Sequence, residues 1–259
     1  MPQAWIERRL TRLKHGVSDL CYDSVAVEQR VCIIINNELY ACLMCTPTHL
    51  GELALGFLWS SGLLEASGEL PNAEIHETLG EIRFNLGHVH SPHSRQHTLF
   101  SGCGRALMRD AQPELCAEPD ETTFFWEHVT EASSHLAGGG SLFERTGGTH
   151  AVGFYREGSF LAIREDIGRH NALDKIGGFL LQNGIPGRSG MLVSTGRTSL
   201  DSVMKAVRFG VRLVVSRGAP TSAAISLASQ CNLTLVGFAR ASRMNIYTAP
   251  ERIVTRDSL

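Results

Sequence analysis

One cysteine stands in a sequence setting that suits a reactive thiol. Cys103 lies between Gly102 and Gly104, and Arg105 follows two positions later. The glycines permit backbone motion and leave the sulfur accessible, and a nearby guanidinium favours the thiolate, which is the nucleophilic form of cysteine. On these residues alone the segment predicts a nucleophilic thiol, with an inert loop cysteine as the alternative.

Three segments in the second half of the chain place arginine and glycine directly after a predicted strand, and the second and third also offer hydroxyl side chains. They are REDIGRHNALDKIGG, STGRTS and SRGAPTS, which begin at residues 164, 194 and 216. Helix N-termini at the carboxyl ends of strands present unpaired N–H groups to anions, and arginine binds phosphate through paired hydrogen bonds. We expect a phosphorylated ligand to be held here by Arg169, His170, Lys175, Arg197 and Arg217.

The first of these segments also contains a predicted helix start. His170, Asp174 and Lys175 are about one turn apart and can share a helix face; a solvated face capped by Asp166 is the alternative. A fourth basic segment, FARASR at residues 238–243, follows the last long predicted strand, and ordinary surface charge is its alternative. The sequence therefore predicts an anion site built from several loops of one sheet edge.

Two patterns divide the chain. Residues 1–145 mix short strands with single helices, after an amphipathic and partly loose lead-in over roughly the first 20 residues. From about residue 149, strands and helices alternate, which predicts right-handed crossovers and a mainly parallel sheet covered on both faces. We predict an α/β fold with an N-terminal α+β domain (1–145), which carries the cysteine loop, and a C-terminal α/β domain (146–259), which binds the nucleotide or cofactor.

The bulk composition argues against several classes of protein. Lys and Arg number 24 against 26 Asp and Glu, so there is no overall basic field of the kind that binds nucleic acid. No apolar run is long enough for a membrane span or a secretory signal, and we therefore expect a soluble, cytoplasmic protein. Seven cysteines without such a signal predict free thiols rather than a disulfide framework.

Taken together, these segments resemble the formate dehydrogenase accessory sulfurtransferases (FdhD family). The resemblance covers roughly residues 30–253 and rests on the ordered blocks TPTHLGELALGFLWSSGLL, EDIGRHNALDKIGG, STGRTSLDSVMKAVRFG, SRGAPTS and LVGFARASRMNIYT. It implies a cytoplasmic homodimer whose larger domain is a three-layer α/β/α unit similar to the cytidine deaminase fold. It also implies that sulfur passes as a persulfide from a cysteine desulfurase to the molybdenum cofactor, bis-molybdopterin guanine dinucleotide, before that cofactor enters formate dehydrogenase.

The resemblance also implies site residues. The persulfide-bearing cysteine of the family falls at Cys103, and the contact to the guanine dinucleotide falls at Phe238, Ala239, Arg240, Ala241, Ser242 and Arg243. The family often carries two cysteines in a Cys-Gly-x-Cys-Gly turn, whereas this turn reads Cys-Gly-Arg-Ala and ends at Ala106. A single-cysteine carrier is therefore expected, and a non-catalytic chaperone that binds and delivers the same cofactor is the alternative function.

Two other groupings of residues suggest different chemistry. Cys42 and Cys45 have C-x-x-C spacing, but residues three apart on a strand point to opposite faces, so core cysteines are favoured over a thiol oxidoreductase. His88, His90, His93 and His97 are expected to form a polar loop rather than a metal site.

Zinc chemistry is not expected either. Zinc deaminases use His-x-Glu followed by Pro-Cys-x-x-Cys, whereas here threonine, not cysteine, comes directly after Pro220 and no glutamate stands two residues after His170. We predict no metal site.

Overall fold

The chain begins with a long two-stranded hairpin. The computed structural model describes residues 3–64, 70–71, 73–76, 80–86, 97–99, 121–240 and 243–255. Strands β1 (Trp5–Lys14) and β2 (Val17–Ala26) pair antiparallel over their whole length. They are joined through His15 and Gly16, which both have positive φ. The predicted loose lead-in is therefore wrong: the charged residues of this segment lie on a β-ribbon.

A five-stranded sheet follows. Its strands are β3 (Gln29–Ile35), β4 (Glu38–Cys45), β5 (Ala73–His76), β6 (Glu81–Phe84) and β7 (His97–Leu99), in the order β5-β6-β3-β4-β7. In the sequence, Asn36 and Asn37 between two β-rich runs predict a tight hairpin turn. The structure confirms it, and both residues have the positive φ that such turns require. Helix α1 (Leu50–Ser60) packs its apolar side on one face of this sheet.

The second half of the chain forms a six-stranded sheet. Its strands are β9 (His150–Arg156), β10 (Ser159–Asp166), β11 (Met191–Ser194), β12 (Leu213–Ser216), β13 (Thr234–Arg240) and β14 (Arg243–Thr248), in the order β10-β9-β11-β12-β13-β14. Strands β10 to β13 run in one direction, while β9 and β14 run against them. The prediction of a mainly parallel sheet is confirmed for β11, β12 and β13.

Helices cover both faces of the six-stranded sheet. On one face lie α4 (Arg169–Gln182), α5 (Leu200–Arg208) and α6 (Ser222–Gln230). On the other lies α2 (Trp126–His135), through Val129, Ala132 and the following Leu136. A boundary at residue 145 thus separates α2 from the sheet on which it packs. The short α3 (Ser141–Thr146) follows, and β8 (Phe124–Phe125) pairs with β15 (Ile253–Val254).

Two glycines allow the two halves of the molecule to pack closely against each other. Helices α1 and α4 approach so closely that a Cβ added at Gly56 would overlap the backbone carbonyl of Asp174. One added at Gly178 would overlap the carbonyl of Glu52. The absence of a side chain at these positions therefore fixes the spacing between the five-stranded and six-stranded sheets.

Among the described residues, no helix is both long and apolar enough to cross a membrane.

The cysteines correct one expectation. Cys32 and Cys42 are directly opposite each other on β3 and β4 and form a disulfide, and Cys231 also takes part in one, so these three are not free thiols. Cys45 is fully buried in the core on the other face of β4, and this burial is the main reason that the pKa of its thiol rises to about 12. The core position predicted for Cys45 is confirmed. Cys42 and Cys45 do not form a dithiol pair, because Cys42 is bonded to Cys32 on the opposite face of the sheet.

Candidate functional site

The predicted arginine-rich loops meet at one edge of the six-stranded sheet. Because β10, β11, β12 and β13 share a direction, their carboxyl ends lie at the same edge. Arg169 follows β10, Arg197 follows β11, Arg217 follows β12, and Arg240 ends β13. Arg243 begins the antiparallel β14 opposite Arg240. We call this end of the sheet, where Arg169, Arg197, Arg217, Arg240 and Arg243 lie, the carboxyl edge.

The two loops after β11 and β12 are bonded to each other. Thr198 donates its backbone N–H to the carbonyl of Ala219 at 3.1 Å, and Arg217 donates its own to Ser194 at 3.0 Å. The hydroxyl of Ser216, which is fully buried, donates to the carbonyl of Gly196 at 2.6 Å. This mesh of backbone contacts holds the intervening arginines at fixed positions.

The hydroxyl groups of these loops have a different role from the one expected. Ser199 caps α5 in a reciprocal arrangement with Ser202, and Thr221 Oγ1 accepts the N–H of Ala224 at the start of α6. Side-chain caps satisfy N–H groups that a bound anion would otherwise use. The groups at this edge that can contact an anion are therefore the arginines more than the N–H groups at the starts of α5 and α6.

The first turn of α4 brings two basic side chains over the loop after β11. The side chain of Arg169 lies against Gly196, where an added Cβ would be 3.2 Å from its Cδ. Arg169, Arg197 and Thr198 line one small cavity. His150, at the start of β9, also reaches Gly196, and burial is the main reason that its pKa is lowered, followed by the charge of Arg169.

His170 is a neutral hydrogen-bonding group at this edge. Its Nε2 lies 3.1 Å from the hydroxyl of Ser199. Burial lowers the pKa of the imidazole to about 3, with smaller contributions from the charges of Lys205, Arg169 and His150. At neutral pH the ring is therefore uncharged, so it can orient a ligand through Ser199 but cannot neutralise a phosphate.

Positive charge is concentrated between β12 and β13. Arg240 donates from Nη1 to the carbonyl of Arg217 at 2.8 Å, and Arg217 donates to the carbonyl of Ser133 on α2 at 3.2 Å. Burial and then the charge of Arg240 lower the pKa of Arg217. Among the described residues, no ion pair involves Arg197, Arg217 or Arg240. Such uncompensated positive charge favours an anionic ligand.

An exposed aromatic ring stands beside these arginines. Phe238 has a positive φ of 52° and an exposed fraction of 39%. Its N–H donates to the carbonyl of Gly218 at 3.0 Å, which holds the residue in this left-handed conformation. A non-glycine residue in that region is uncommon outside turns and functional sites. The neighbouring Ala239 is fully buried in the core and does not reach the edge.

Lys175 lies away from the carboxyl edge, in the buried region between the two sheets. We call this region, which contains the ion pairs Lys175–Asp166 and Lys205–Asp174, the joint. Its ammonium is 2.7 Å from Asp166, and both side chains are fully buried. It also donates to the carbonyls of Thr46 and Glu165 and to the hydroxyl of Thr48, at 3.0–3.2 Å. These partners occupy all of its hydrogens, so Lys175 cannot bind a ligand in this arrangement.

Asp174 is also part of the joint. It accepts hydrogen bonds from Lys205 and from Ser60 of α1. Burial raises the pKa of this carboxyl, while Lys205 and Ser60 oppose the rise. The predicted common face of His170, Asp174 and Lys175 is thus divided: His170 faces Ser199, and the other two hold α4 against the first sheet.

Asp166 connects this joint to the start of α4. Its carboxylate accepts the N–H groups of Thr46 and Gly168 and the amide of Asn171, at 2.9–3.1 Å. Asn171 also donates to the carbonyl of Met44. The residues on either side of Arg169 are thereby fixed to the end of β4. From the sequence, Asp166 is only a possible cap, and nothing marks His150 or Thr46 because their partners are distant in the chain.

Some predicted residues lie outside the described residues. They are Cys103, Ala241, Ser242, Cys116, His88, His90 and His93. Within the described ranges, no three His, Cys, Asp or Glu side chains converge in a way that could hold a metal ion.

Comparison with known proteins agrees with this arrangement of blocks. A sulfur carrier protein FdhD from Shouchella clausii (strain KSM-K16) is 34% identical over 255 residues, 95% of this chain and 96% of that protein. One from Bacillus subtilis (strain 168) is 33% identical over 253 residues, with the same coverage. A crystal structure of a protein described as a formate dehydrogenase accessory protein, from Desulfotalea psychrophila, matches 97% of this chain at a TM-score of 0.82 and 25% identity. The model of the FdhD/NarQ family matches residues 26–254. This chain belongs to the FdhD/NarQ family.

Proposed function

We propose that this protein is a sulfur carrier in the maturation of formate dehydrogenase. The names of its relatives, sulfur carrier protein and formate dehydrogenase accessory protein, support this role over nearly the whole chain. In this proposal Cys103 carries the sulfur, a cysteine desulfurase supplies it, and the molybdenum cofactor receives it. The protein acts in the cytoplasm as a homodimer.

The loading step is a transfer between two thiols. The thiolate of Cys103 attacks the terminal sulfur of a persulfide on the desulfurase, and the sulfur–sulfur bond of that persulfide breaks. Cys103 then carries the persulfide, and the desulfurase cysteine leaves as a thiolate, so no oxidant or reductant is consumed. Arg105, two residues further on, favours the attacking thiolate by its charge.

The molybdenum cofactor is the cargo, and its guanine dinucleotide part binds at the carboxyl edge. Arg197, Arg217 and Arg240 contact the phosphates, because no carboxylate among the described residues neutralises them. The exposed ring of Phe238 stacks on the guanine. The observation that carries the proposal is this group of arginines, held by backbone hydrogen bonds at the edge where α/β sheets bind ligands.

His170 and Arg169 complete the pocket from the start of α4. The neutral imidazole and Ser199 provide directional hydrogen bonds, while Arg169 adds positive charge over Gly196. Arg243, exposed at the start of β14, extends the positive surface. Lys175 is left out of the ligand set because its ammonium is bonded inside the joint.

The test separates sulfur transfer from simple delivery of the cofactor. Protein incubated with a cysteine desulfurase and cysteine should gain about 32 Da on Cys103, as expected for one added sulfur atom. The variant Cys103→Ala should lack this adduct, fail to mature formate dehydrogenase, and still bind guanosine diphosphate. Full maturation by Cys103→Ala would overturn the carrier role, and loss of guanosine diphosphate binding alone would show that the variant is misfolded. Maturation without any adduct would identify a chaperone instead.

A further inference from the structure

The Cys32–Cys42 disulfide lies on the face of the first sheet that α1 does not cover. Alternate residues Val31, Ile33 and Leu43 of the same strands belong to the apolar core beneath α1, and neither Cys32 nor Cys42 does. Strands β3 and β4 are already joined by a tight turn and by an unbroken ladder of pairs on either side of one bulge. The disulfide therefore connects no separate parts of the fold.

The two sulfurs have different surroundings. Cys32 is partly exposed, whereas only 4% of Cys42 is exposed. Arg30 places its Nη2 3.3 Å from the Sγ of Cys42. A guanidinium at this distance stabilises a thiolate on Cys42 and so makes it a better nucleophile and a better leaving group. Cys32 is thus accessible to a donor while Cys42 is favoured as a thiolate beside it, so the two thiols can attack and resolve in turn.

We propose that Cys32 and Cys42 form a redox-active dithiol that accepts sulfane sulfur from a persulfide and releases it as sulfide. This inference rests on the proposed function, because it describes what happens to sulfur that reaches this protein. The pair stands beside the strand that leads toward Cys103: Cys42 is opposite Thr98 of β7, and Cys103 follows Leu99 by four residues in the chain.

The reaction has two balanced steps. The thiolate of Cys32 attacks the terminal sulfur of a donor persulfide, the donor leaves as a thiolate, and Cys32 becomes a persulfide. The thiolate of Cys42 then attacks the inner sulfur of that persulfide and expels hydrosulfide. The two cysteines lose two electrons in forming their disulfide, and the sulfane sulfur gains them.

The second step supplies the two electrons that a persulfide carrier alone cannot provide. The terminal sulfur of a persulfide is zero-valent, so two electrons are required before it can leave as sulfide. The disulfide in this structure is the oxidised state that the reaction leaves behind. An external dithiol, such as dithiothreitol in an assay, returns the pair to the reduced state by thiol–disulfide exchange.

The experiment uses the full-length protein, reduced with dithiothreitol and then freed of it under nitrogen. Cysteine persulfide is added, sulfide is measured, and the cysteines are mapped by alkylation and mass spectrometry. The wild-type protein should release sulfide as Cys32 and Cys42 lose their alkylation. Cys42→Ser should stop at an adduct of about 32 Da on Cys32. Arg30→Gln should slow the release of sulfide at least about tenfold, because the resolving thiolate loses its cation.

Two comparisons keep the outcome clear. Cys21→Ser removes the one partly exposed free cysteine among the described residues and should leave the release of sulfide unchanged. Cys103→Ala should also release sulfide, because the donor is a small molecule, so failure of the dithiol and failure of the carrier cysteine are separable. Sulfide release from Cys32→Ser/Cys42→Ser at the wild-type rate would overturn the proposal and leave the disulfide a structural one.

Discussion

The buried joint and the carboxyl edge treat charge in opposite ways, although one sequence segment contributes to both. In the joint, Lys175 faces Asp166 and Lys205 faces Asp174, all of them nearly or fully buried. At the edge, Arg197 and Arg240 are exposed, and no carboxylate among the described residues pairs with them. Charges that are matched inside the protein hold the fold, and charges left unmatched at its surface are available to a ligand.

This difference divides the residues of the REDIGRHNALDKIGG segment by role. Its residue types alone point to a single polar cluster, but the geometry sends Arg169 and His170 to the edge, and Asp166 and Lys175 to the joint. The joint also reaches back to Thr46 at the end of β4. The comparison therefore predicts that substitutions in the joint change stability, whereas substitutions at the edge change ligand affinity.

The largest expected effect is on the joint. Asp166→Ala removes the carboxylate and leaves the ammonium of Lys175 buried without its counter-charge. We expect the free energy of unfolding to fall by about 3–5 kcal/mol, the usual cost of breaking a buried ion pair from one side. Urea unfolding followed by circular dichroism measures it.

A double variant tests the cause. Asp166→Asn combined with Lys175→Met removes both charges and should recover part of the stability lost in Asp166→Ala, because no unpaired buried charge remains. If Asp166→Ala were as stable as the wild-type protein, the joint could not be holding the two sheets together.

The next effect concerns the contact between α1 and α4. Gly56→Ala should lower the free energy of unfolding by about 3 kcal/mol, because the new methyl group overlaps the carbonyl of Asp174 and the helices must move apart. Gly138→Ala is the matched control, since its Cβ would meet only the end of the Glu144 side chain, at 3.3 Å. Equal stability of the two variants would contradict the close approach of the helices.

Much of this architecture can be predicted from local signals. The turn at Asn36 and Asn37 and the alternating strands and helices after residue 149 are confirmed, because turn chemistry and periodicity determine them within a few residues. The convergence of Arg197 and Arg217 also follows from sequence, since carboxyl ends of parallel strands share an edge.

The remaining features depend on partners far away in the chain. Lysine is a residue type that usually lies at the surface. The burial of Lys175 depends on its hydrogen bond to the carbonyl of Thr46, which is 129 positions earlier. The pairing of Cys32 with Cys42 requires the register of β3 and β4, which the hairpin signal alone does not give. The first hairpin was missed because charged residues occur on both of its faces, so no apolar alternation distinguishes it.

A pH effect sharpens the comparison at the border between the two regions. The pKa of His170 is lowered from 6.5 to about 3 in the folded protein, mainly by burial, so below pH 6.5 the unfolded chain binds a proton that the folded chain excludes. The stabilisation is complete above that pH and is lost as the pH falls toward 3. At pH 5 the loss in the free energy of unfolding, relative to neutral pH, amounts to about 2 kcal/mol.

The variant His170→Gln cannot titrate at this position. Its free energy of unfolding should therefore fall less steeply than that of the wild-type protein between pH 7 and pH 5, with denaturant curves collected at constant ionic strength. Parallel slopes for the two proteins would mean that the imidazole is not held neutral by the fold.

The most direct test is titration of the protein with guanosine diphosphate by calorimetry, together with urea unfolding of the same samples. Arg197→Gln and Arg217→Gln should each weaken binding about tenfold, because each removes a charge-assisted hydrogen bond to phosphate. Arg197→Gln, whose side chain is exposed, should shift the free energy of unfolding by less than about 0.5 kcal/mol. Wild-type affinity in both variants, or a loss of affinity matched by a loss of stability, would contradict the assignment of the carboxyl edge as the ligand site.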